Sequence, residues 1–202
     1  MVQVDPRVEV AELAAGDEAG AERVVRLLNR ALGDRLYRTR GLLSDAADPT
    51  AGVWLASGAS GAGAADVTGG TAGAAVARLL IPEDASYYER FGPDATALFA
   101  SAVGSFEALA VDPAFRRRGI GEALTRASLA WMRRQGCDVA VTLSWLSGRP
   151  DSSPPLFRSL GFDEGRTVDR FYERESVEDD WSCPVCGQPC RCPATLFVLA
   201  LH

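Results

Sequence analysis

Apolar stretches with strand-like spacing recur along the whole chain. They either alternate with polar residues or run on as short apolar blocks, and both patterns are typical of β-strands. The predicted strands are 8–13, 53–57, 72–81, 106–111, 138–143, 168–174 and 195–201. The block at 138–143 is apolar enough to predict a central strand.

Helical spacing appears in two longer segments and one short one. Apolar residues three or four apart follow Asp17, which is placed to act as an N-cap, and continue to Gly33. A stronger pattern predicts a helix over 119–135. A short helix is predicted to begin at Pro154, with Ser153 as its cap.

Three segments lack regular spacing. The stretch 36–49 is mixed and receives no assignment. The stretch 58–70 is rich in Gly, Ala and Ser, which predicts a flexible turn joining the strands of a long hairpin. The stretch 83–105 is too long for a plain loop, so we expect it to hold a short helix near a binding surface.

The order of the predicted elements is β, α, β, β, β, α, β, α, β, β. It indicates an α/β (α+β) fold with a mixed sheet, in which 106–111, 119–135 and 138–143 form a right-handed βαβ unit. A chain of 202 residues that is 47% hydrophobic can bury a full core. We expect a single domain spanning 1–202.

Composition and charge exclude several classes of protein. No apolar run reaches the length of a transmembrane helix, and the first residues do not resemble a secretory signal. The net charge of −6 argues against nucleic-acid binding, which needs a basic face. We therefore expect a cytoplasmic protein with no nucleic acid and no membrane among its partners.

The basic residues restrict the available chemistry. All 21 are arginines, so no lysine can serve as a base or as a Schiff-base nucleophile. The one histidine is His202. Histidine-based triads and histidine zinc ligands are therefore nearly excluded.

The segment Arg116-Arg117-Arg118-Gly119-Ile120-Gly121 lies between a predicted strand and a predicted helix. The first turn of a helix leaves backbone N–H groups unpaired, and the helix dipole makes that end positive. Glycines let an oxygen-rich ligand approach the backbone, which suits a pyrophosphate, and arginines add charge for further phosphates. The spacing fits neither a Walker loop nor the dinucleotide fingerprint. The alternative interpretation is a solvated helix start.

The pattern Arg116-x-x-Gly119-x-Gly121, after Leu109-x-Val111-x-Pro113, resembles the acetyl-CoA-binding motif of the GNAT N-acetyltransferase superfamily over 106–162. The resemblance implies a mixed, mostly antiparallel central sheet of about seven strands flanked by helices. It also implies two groups of residues around acetyl-CoA, one at its phosphates and one along its pantetheine arm. These are Arg116, Arg117, Arg118, Gly119, Ile120 and Gly121 for the phosphates, and Leu109, Ala110 and Val111 for the arm.

A second segment, 156–162, resembles the place where many family members carry a tyrosine that protonates the leaving thiolate. This chain has Phe157 there, which has no proton to give. An asparagine often found somewhat earlier in the family is also missing at 147–150. Solvent could supply the proton instead, or Ser147, Ser152 or Ser153 could relay it.

The resemblance implies direct transfer, in which an amine attacks the thioester of bound acetyl-CoA. Glu107 is the candidate base because the family often places a glutamate on this strand, and a backbone N–H near Val111 could stabilise the oxyanion. The alternative for Glu107 is an ordinary exposed carboxylate. Tyr87, Tyr88 and Glu89 could shape the acceptor pocket or be ordinary packing and surface residues.

Four cysteines lie close together near the end of the chain: Cys183, Cys186, Cys190 and Cys192. The first two form a Cys-x-x-Cys turn that resembles the knuckle of zinc ribbons and rubredoxins. We predict that all four bind one structural Zn²⁺ in an insertion at 181–193 between the last two strands. Iron, a redox disulfide pair and a zinc shared between chains are the alternatives.

These observations leave two main functional hypotheses. The first is an N-acetyltransferase that moves an acetyl group from acetyl-CoA to a primary amine in a ternary complex. The second is an acyl-CoA-binding scaffold of the same fold with weak or no catalysis, whose zinc knuckle holds a protein partner. A third hypothesis is transfer of a longer acyl group, which the depth of the pocket near Leu109 and Phe157 would decide. The acceptor stays open among small amines, antibiotics, protein N-termini and lysine side chains, and a homodimer is compatible with the sequence.

Overall fold

The computed structural model describes residues 8–57, 70–148 and 152–201, so the turn expected at 58–70 falls almost wholly outside the described residues. The strands are β1 Glu9–Glu12, β2 Ala51–Ser57, β3 Thr71–Leu79, β4 Val103–Val111, β5 Val139–Trp145, β6 Asp163–Val168 and β7 Ala194–Ala200. The α-helices are α1 Glu18–Leu32, α2 Thr39–Ala47, α3 Ala85–Tyr88, α4 Pro93–Ala97, α5 Ile120–Arg134, α6 Pro154–Ser159 and α7 Glu173–Glu178. Within the described ranges, no helix has both the length and the apolar character needed to cross a bilayer.

The strands form one sheet in the order β1-β2-β3-β4-β5-β7-β6. The pair β4–β5 is parallel, whereas β1–β2, β5–β7 and β6–β7 are antiparallel. The helix α5 connects the parallel pair, as a crossover must. The predicted βαβ unit and the mixed, mostly antiparallel sheet of seven strands are therefore confirmed.

Two compact units are distinguished along the chain. One comprises Met1–Ala77 and Ala108–Ser128, and the other comprises Arg78–Glu107 and Leu129–His202. The first unit has a core of aliphatic residues from α1, α2 and strands β2 to β4. The second has an aromatic core that includes Tyr88, Phe91 and Phe171. The expectation of a single domain stays a prediction.

The first helix shows why the sequence pattern works where signals are local. Asp17 is the N-cap of α1, and its side chain accepts a hydrogen bond of 2.9 Å from the N–H of Gly20. Gly33 ends the helix, and Val24 and Leu28 are fully buried on its apolar face. Capping and helical spacing therefore predict this element correctly.

The strand predicted at 168–174 is wrong. The strand before β7 is Asp163–Val168, and the residues that follow form a turn and then the helix α7. The strand β6 lies at the edge of the sheet and is almost wholly exposed, so it carries no apolar alternation to detect. The apolar pair Phe171 and Tyr172, which suggested a strand, packs into the aromatic core instead.

Two smaller expectations are also corrected. The unassigned stretch 36–49 contains the helix α2. Ser153 does occupy the N-cap of α6, but its hydroxyl makes no capping hydrogen bond and lies 2.9 Å from the hydroxyl of Ser144.

Candidate functional site

The turn that follows β4 is fixed by Asp112. Its Oδ1 accepts a hydrogen bond of 2.9 Å from the N–H of Ala114 and so caps the short turn Pro113–Phe115. Its Oδ2 accepts a bond of 2.7 Å from Nη2 of Arg30 on α1. The segment that leads into α5 is therefore held at its start by an ion pair that the sequence pattern did not single out.

The backbone between this turn and α5 has the geometry of an anion-binding loop. Arg117 and Gly119 both have positive φ angles, of 61° and 77°. Across the ranges that the structure describes, the backbone N–H groups from Arg117 to Gly121 have no hydrogen-bond acceptor. Successive N–H groups in such a turn form a concavity for an anion, and the N-terminus of α5 adds its positive end.

The three adjacent arginines have different surroundings. Arg116 donates from Nε to the carbonyl of Val111 at 3.1 Å. Arg118 donates to the carbonyl of Ala114 at 3.2 Å, and its guanidinium lies 5.4 Å from the ring centre of Phe115. These two contacts brace the loop against the turn before it.

Arg117 differs from its neighbours. It is exposed, and among the described residues its side chain makes no hydrogen bond or ion pair. An exposed guanidinium next to an anion-binding turn can donate two hydrogen bonds to a phosphate. Of the three arginines, Arg117 is therefore the one best placed to meet a further phosphate group.

The start of α5 is pressed closely onto β3 at Gly73. A Cβ atom at position 73 would lie 2.8 Å from Ile120 Cγ2 and 2.8 Å from Leu124 Cδ1, and 3.2 Å from the carbonyl oxygen of Ala110. Ile120 and Leu124 are both buried. Gly73 therefore sets the distance between the helix start and the sheet, and nothing in its local sequence revealed this.

The residues predicted to follow the pantetheine arm lie at the end of β4. Ala110 is buried, whereas Leu109 and Val111 are half-buried. The ladder between β4 and β5 covers Val103 to Phe106 and does not include these three residues. The prediction for Leu109, Ala110 and Val111 agrees with this arrangement but stays a prediction.

Glu107 precedes this stretch on β4 and is an exposed residue. Its Oε1 lies 3.6 Å from Nε of Arg78. Burial raises the pKa of Tyr88 to about 12. A hydrogen bond with Ser105 lowers this pKa, and the negative charge of Glu107 raises it further. The structure thus brings the candidate base near the tyrosines of α3, and it also gives that carboxylate a cationic neighbour.

Phe157 is an interior residue. Its ring is 2% exposed and contacts three other rings, with centroid distances of 6.1, 5.3 and 5.6 Å to Phe106, Phe162 and Phe197. A side chain in this position stabilises the core and supplies no proton. The hydroxyl of Ser153, at the N-cap of the same helix, lies 2.9 Å from that of Ser144 on β5.

The four cysteines of the C-terminal segment meet, as predicted. All four sulfur atoms lie within 4.8 Å of one another. The separations between Sγ atoms are 3.9 Å for Cys183 and Cys192, 3.8 Å for Cys186 and Cys190, and 3.6 Å for Cys186 and Cys192. Disulfide-bonded sulfurs would be about 2.05 Å apart. A tetrahedral site with metal–sulfur bonds of about 2.3 Å has edges of about 3.8 Å, which these distances match.

Backbone N–H groups point at the sulfurs, as expected for a turn that holds thiolates. The N–H of Val185 donates to Cys183 Sγ at 3.4 Å, and that of Arg191 donates to Cys186 Sγ at 3.1 Å. Burial opposes ionisation of Cys186, but the Arg191 N–H and the neighbouring thiols lower its pKa to about 7. Burial raises the pKa of Cys192 to about 11.

The cysteine loop is tied to α7 through Ser176, which is fully buried. The Ser176 hydroxyl accepts a hydrogen bond of 2.8 Å from the N–H of Cys190 and donates one of 2.9 Å to the carbonyl of Glu173. The ring of Trp181 packs on the cysteines and lies 6.2 Å from that of Tyr172. Because α7 was not predicted, neither was this connection.

Comparison with known proteins agrees with this geometry. The sequence profile of the Acetyltransferase (GNAT) family matches residues 51–162. No curated protein sequence matches the chain significantly.

Solved structures resemble the chain over almost its whole length. A chain of the NatC complex bound to a Gag peptide and CoA superimposes with a TM-score of 0.67 at 15% identity, covering 97% of this chain and 99% of that one. NAA60 of Arabidopsis thaliana in complex with acetyl-CoA gives 0.65 at 16% identity, covering 96% and 98%. The ribosomal-protein-S18-alanine N-acetyltransferase of Escherichia coli gives 0.60 at 15% identity, covering 96% and 94%. These likenesses show the fold, and because the profile spans more than half of the sequence, the chain belongs to the GNAT acetyltransferase family.

Proposed function

We propose that this protein transfers an acetyl group from acetyl-CoA to a primary amine by direct attack in a ternary complex. The observation that carries the proposal is the row of backbone N–H groups from Arg117 to Gly121 at the start of α5, for which the described residues offer no acceptor. Such a row suits a pyrophosphate. The similar structures of NatC and NAA60, solved with CoA and with acetyl-CoA, support the same cosubstrate.

In this proposal the loop residues hold the CoA phosphates through their backbone, and Arg117 adds a guanidinium contact. The half-buried residues Leu109 and Val111 lie along the pantetheine arm, with Ala110 between them. A backbone N–H near Val111 stabilises the oxyanion of the thioester. Arg116 and Arg118 shape the loop, since their guanidinium groups donate to the carbonyls of Val111 and Ala114 just before it.

Glu107 is proposed as the group that accepts the proton of the attacking amine. It lies two residues before Leu109 on the same strand, so both side chains point to the same face of the sheet. Phe157 supplies no proton to the departing thiolate. That proton comes from solvent or from a serine hydroxyl on the α6 side, such as Ser152 or Ser153.

We also propose that the four cysteines bind one structural Zn²⁺. The sulfur separations fit a tetrahedral ion, and four thiolates leave no open coordination position for catalysis. Binding keeps all four sulfurs ionised, against the burial that raises the pKa of Cys192. Reduced thiols are maintained in the cytoplasm, which is therefore the proposed location.

Replacing Arg117 by glutamine is expected to weaken CoA binding about tenfold, the loss of one charge-assisted hydrogen bond. Isothermal titration of acetyl-CoA and of 3′-dephospho-CoA measures the effect. If Arg117 binds the 3′-phosphate, the variant loses affinity for acetyl-CoA and keeps that for the dephospho form. Arg126→Gln, which removes an exposed arginine on the outer part of α5, is the matched control. Absence of acetyl-CoA binding by the wild type would refute the proposed function.

Glu107→Gln is expected to lower kcat about 100-fold, because a general base contributes at least that much. Release of CoA thiol over a panel of primary amines measures the rate. An unchanged rate would assign Glu107 to the ion pair with Arg78 and no more. Thiol release no faster than the uncatalysed rate with every amine, despite CoA binding, would favour the scaffold hypothesis, for which the buried Phe157 is the supporting observation.

A further inference from the structure

The connection between β6 and β7 contains a carboxylate, that of Glu175 in α7, which has no role in the proposed acetyl transfer so far. Resting on the proposed amine acetylation, we propose that Glu175 of α7 binds the acceptor as a cationic primary amine, beside Tyr87 and on the same side as Glu107. The acceptor class would then be a primary ammonium group, with neutral and anionic acceptors disfavoured. Each step of the argument lies within the unit formed by Arg78–Glu107 and Leu129–His202.

The first step is the aromatic wall that joins α7 to α3. The ring of Tyr87 meets that of Phe171 edge-on, with centroids 5.2 Å apart, and Phe171 meets Tyr172 at 4.9 Å. Tyr172 is the N-cap of α7, so Glu175 lies in the first turn of that helix. The segment 171–175 is therefore held directly against the helix that carries Tyr87.

The second step is the state of the Glu175 carboxylate. Its Oε2 is buried, and none of the described residues donates a hydrogen bond to it. The residue as a whole is half-buried, so its side chain lies at the surface while Oε2 itself faces away from solvent. A carboxylate oxygen held out of water without a donor is unfavourable unless a cation joins it. This is the observation that indicates a ligand.

The third step is the charge around Tyr87. Burial raises the pKa of its phenol, and the carboxylate of Glu175, then Tyr88 and then Glu107 raise it further. Both carboxylates therefore act on one place. Arg90 acts in the opposite direction and has the smallest effect of these groups on the pKa of Tyr87. Its guanidinium donates to the carbonyl of Phe171 at 2.7 Å and lies 4.7 Å from the centre of that ring.

The fourth step is the rigidity of the group. Ser176, the next residue, is fully buried and bonds the N–H of Cys190 in the cysteine loop. The helix is thus fixed at one end by aromatic packing and at its centre by this bond. A carboxylate on a fixed helix is preorganised for its ligand, and the neighbouring rings offer a face to a cation.

The neighbouring acidic residues of α7 do not take this role. Glu173 pairs with Arg170, and Glu178 lies 3.6 Å from Arg174 in an exposed pair. The Oε2 atom of Glu175, by contrast, has no hydrogen-bond partner in the part of the chain that the structure describes. Glu178→Gln is therefore a matched control, since it removes a carboxylate from the same helix without touching the proposed subsite.

The test is titration calorimetry of the full chain with and without bound CoA. The probes are n-butylamine, spermidine and a hexapeptide with a free α-amino group, each compared with a neutral counterpart: n-butanol, triacetylspermidine and the N-acetylated peptide. We expect the wild type to prefer the ammonium form of at least one pair. Glu175→Gln should weaken that probe about tenfold, while Glu178→Gln and CoA affinity stay unchanged. The probe that binds also distinguishes a small amine from a peptide N-terminus.

Kinetics provide the second readout. For any probe that turns over, Glu175→Gln should raise KM about tenfold and change kcat less, whereas Glu107→Gln acts mainly on kcat. Equal affinity of Glu175→Gln and wild type for the ammonium probes, or no preference of the wild type for ammonium over neutral forms, would overturn the proposal. Failure of acetyl-CoA to bind would refute the transferase instead, since the titrations without CoA report on Glu175 independently.

Discussion

Replacing Cys190 by serine is expected to release the metal and to lower the melting temperature by on the order of 10 °C. Cys190 is fully buried, and a serine hydroxyl does not replace a thiolate as a zinc ligand. The loop would then lose the centre that orients its other three sulfurs. The backbone N–H of Cys190 donates to Ser176 of α7, so a loop that shifts after metal loss is expected to loosen this helix as well. Elemental analysis and thermal unfolding measure the two effects.

The control for this variant is Cys137→Ala. Cys137 is a buried free cysteine outside the cluster, so its loss should leave about one zinc per chain in place. Removal of zinc from the wild type with a chelator should reproduce the stability loss of Cys190→Ser. A wild-type preparation that is metal-free and equally stable would contradict a structural metal.

Gly73→Ala is expected to destabilise the protein by about 2 kcal/mol and to weaken acetyl-CoA binding about tenfold. The added methyl group would lie 2.8 Å from side-chain atoms of both Ile120 and Leu124, so this contact must give way. Because both side chains are buried, we expect the start of α5 to move away from β3. That movement displaces the N–H groups proposed to bind the pyrophosphate. Urea unfolding gives the change in stability, and titration calorimetry gives the affinity.

Gly41→Ala is the matched control. Gly41 lies in α2, and a Cβ there has open space around it. The same substitution should therefore stabilise the protein by about 0.5 to 1 kcal/mol and leave acetyl-CoA binding unchanged. If Gly73→Ala behaved like Gly41→Ala, the close packing of α5 on β3 would have no role in CoA binding.

The loop at 116–121 shows how far a local pattern can be trusted. Its glycines and its place between β4 and α5 are set by neighbours in sequence, and the structure agrees with both. The separate surroundings of the three arginines were not predictable. They depend on which carbonyls the folded turn presents, those of Val111 and Ala114, and so on contacts made after the chain has turned.

The C-terminal segment shows the opposite balance. Spacing alone was enough to bring Cys183, Cys186, Cys190 and Cys192 together, because short turns connect them. The strand expected at 168–174 was wrong, since β6 is an exposed edge strand whose pairing with β7 comes from a distant part of the chain. The error also hid α7, and with it Glu175 and Ser176.

The sequence by itself determined the βαβ unit, the glycine-containing loop before α5 and the cysteine cluster, because each is encoded by local spacing or by elements that follow one another in sequence. Only the tertiary structure decided three other features: the close approach at Gly73, the brace between Arg30 and Asp112, and the buried carboxylate of Glu175. The first two join segments that are far apart along the chain. Their energies arise from packing and burial, which no local pattern records.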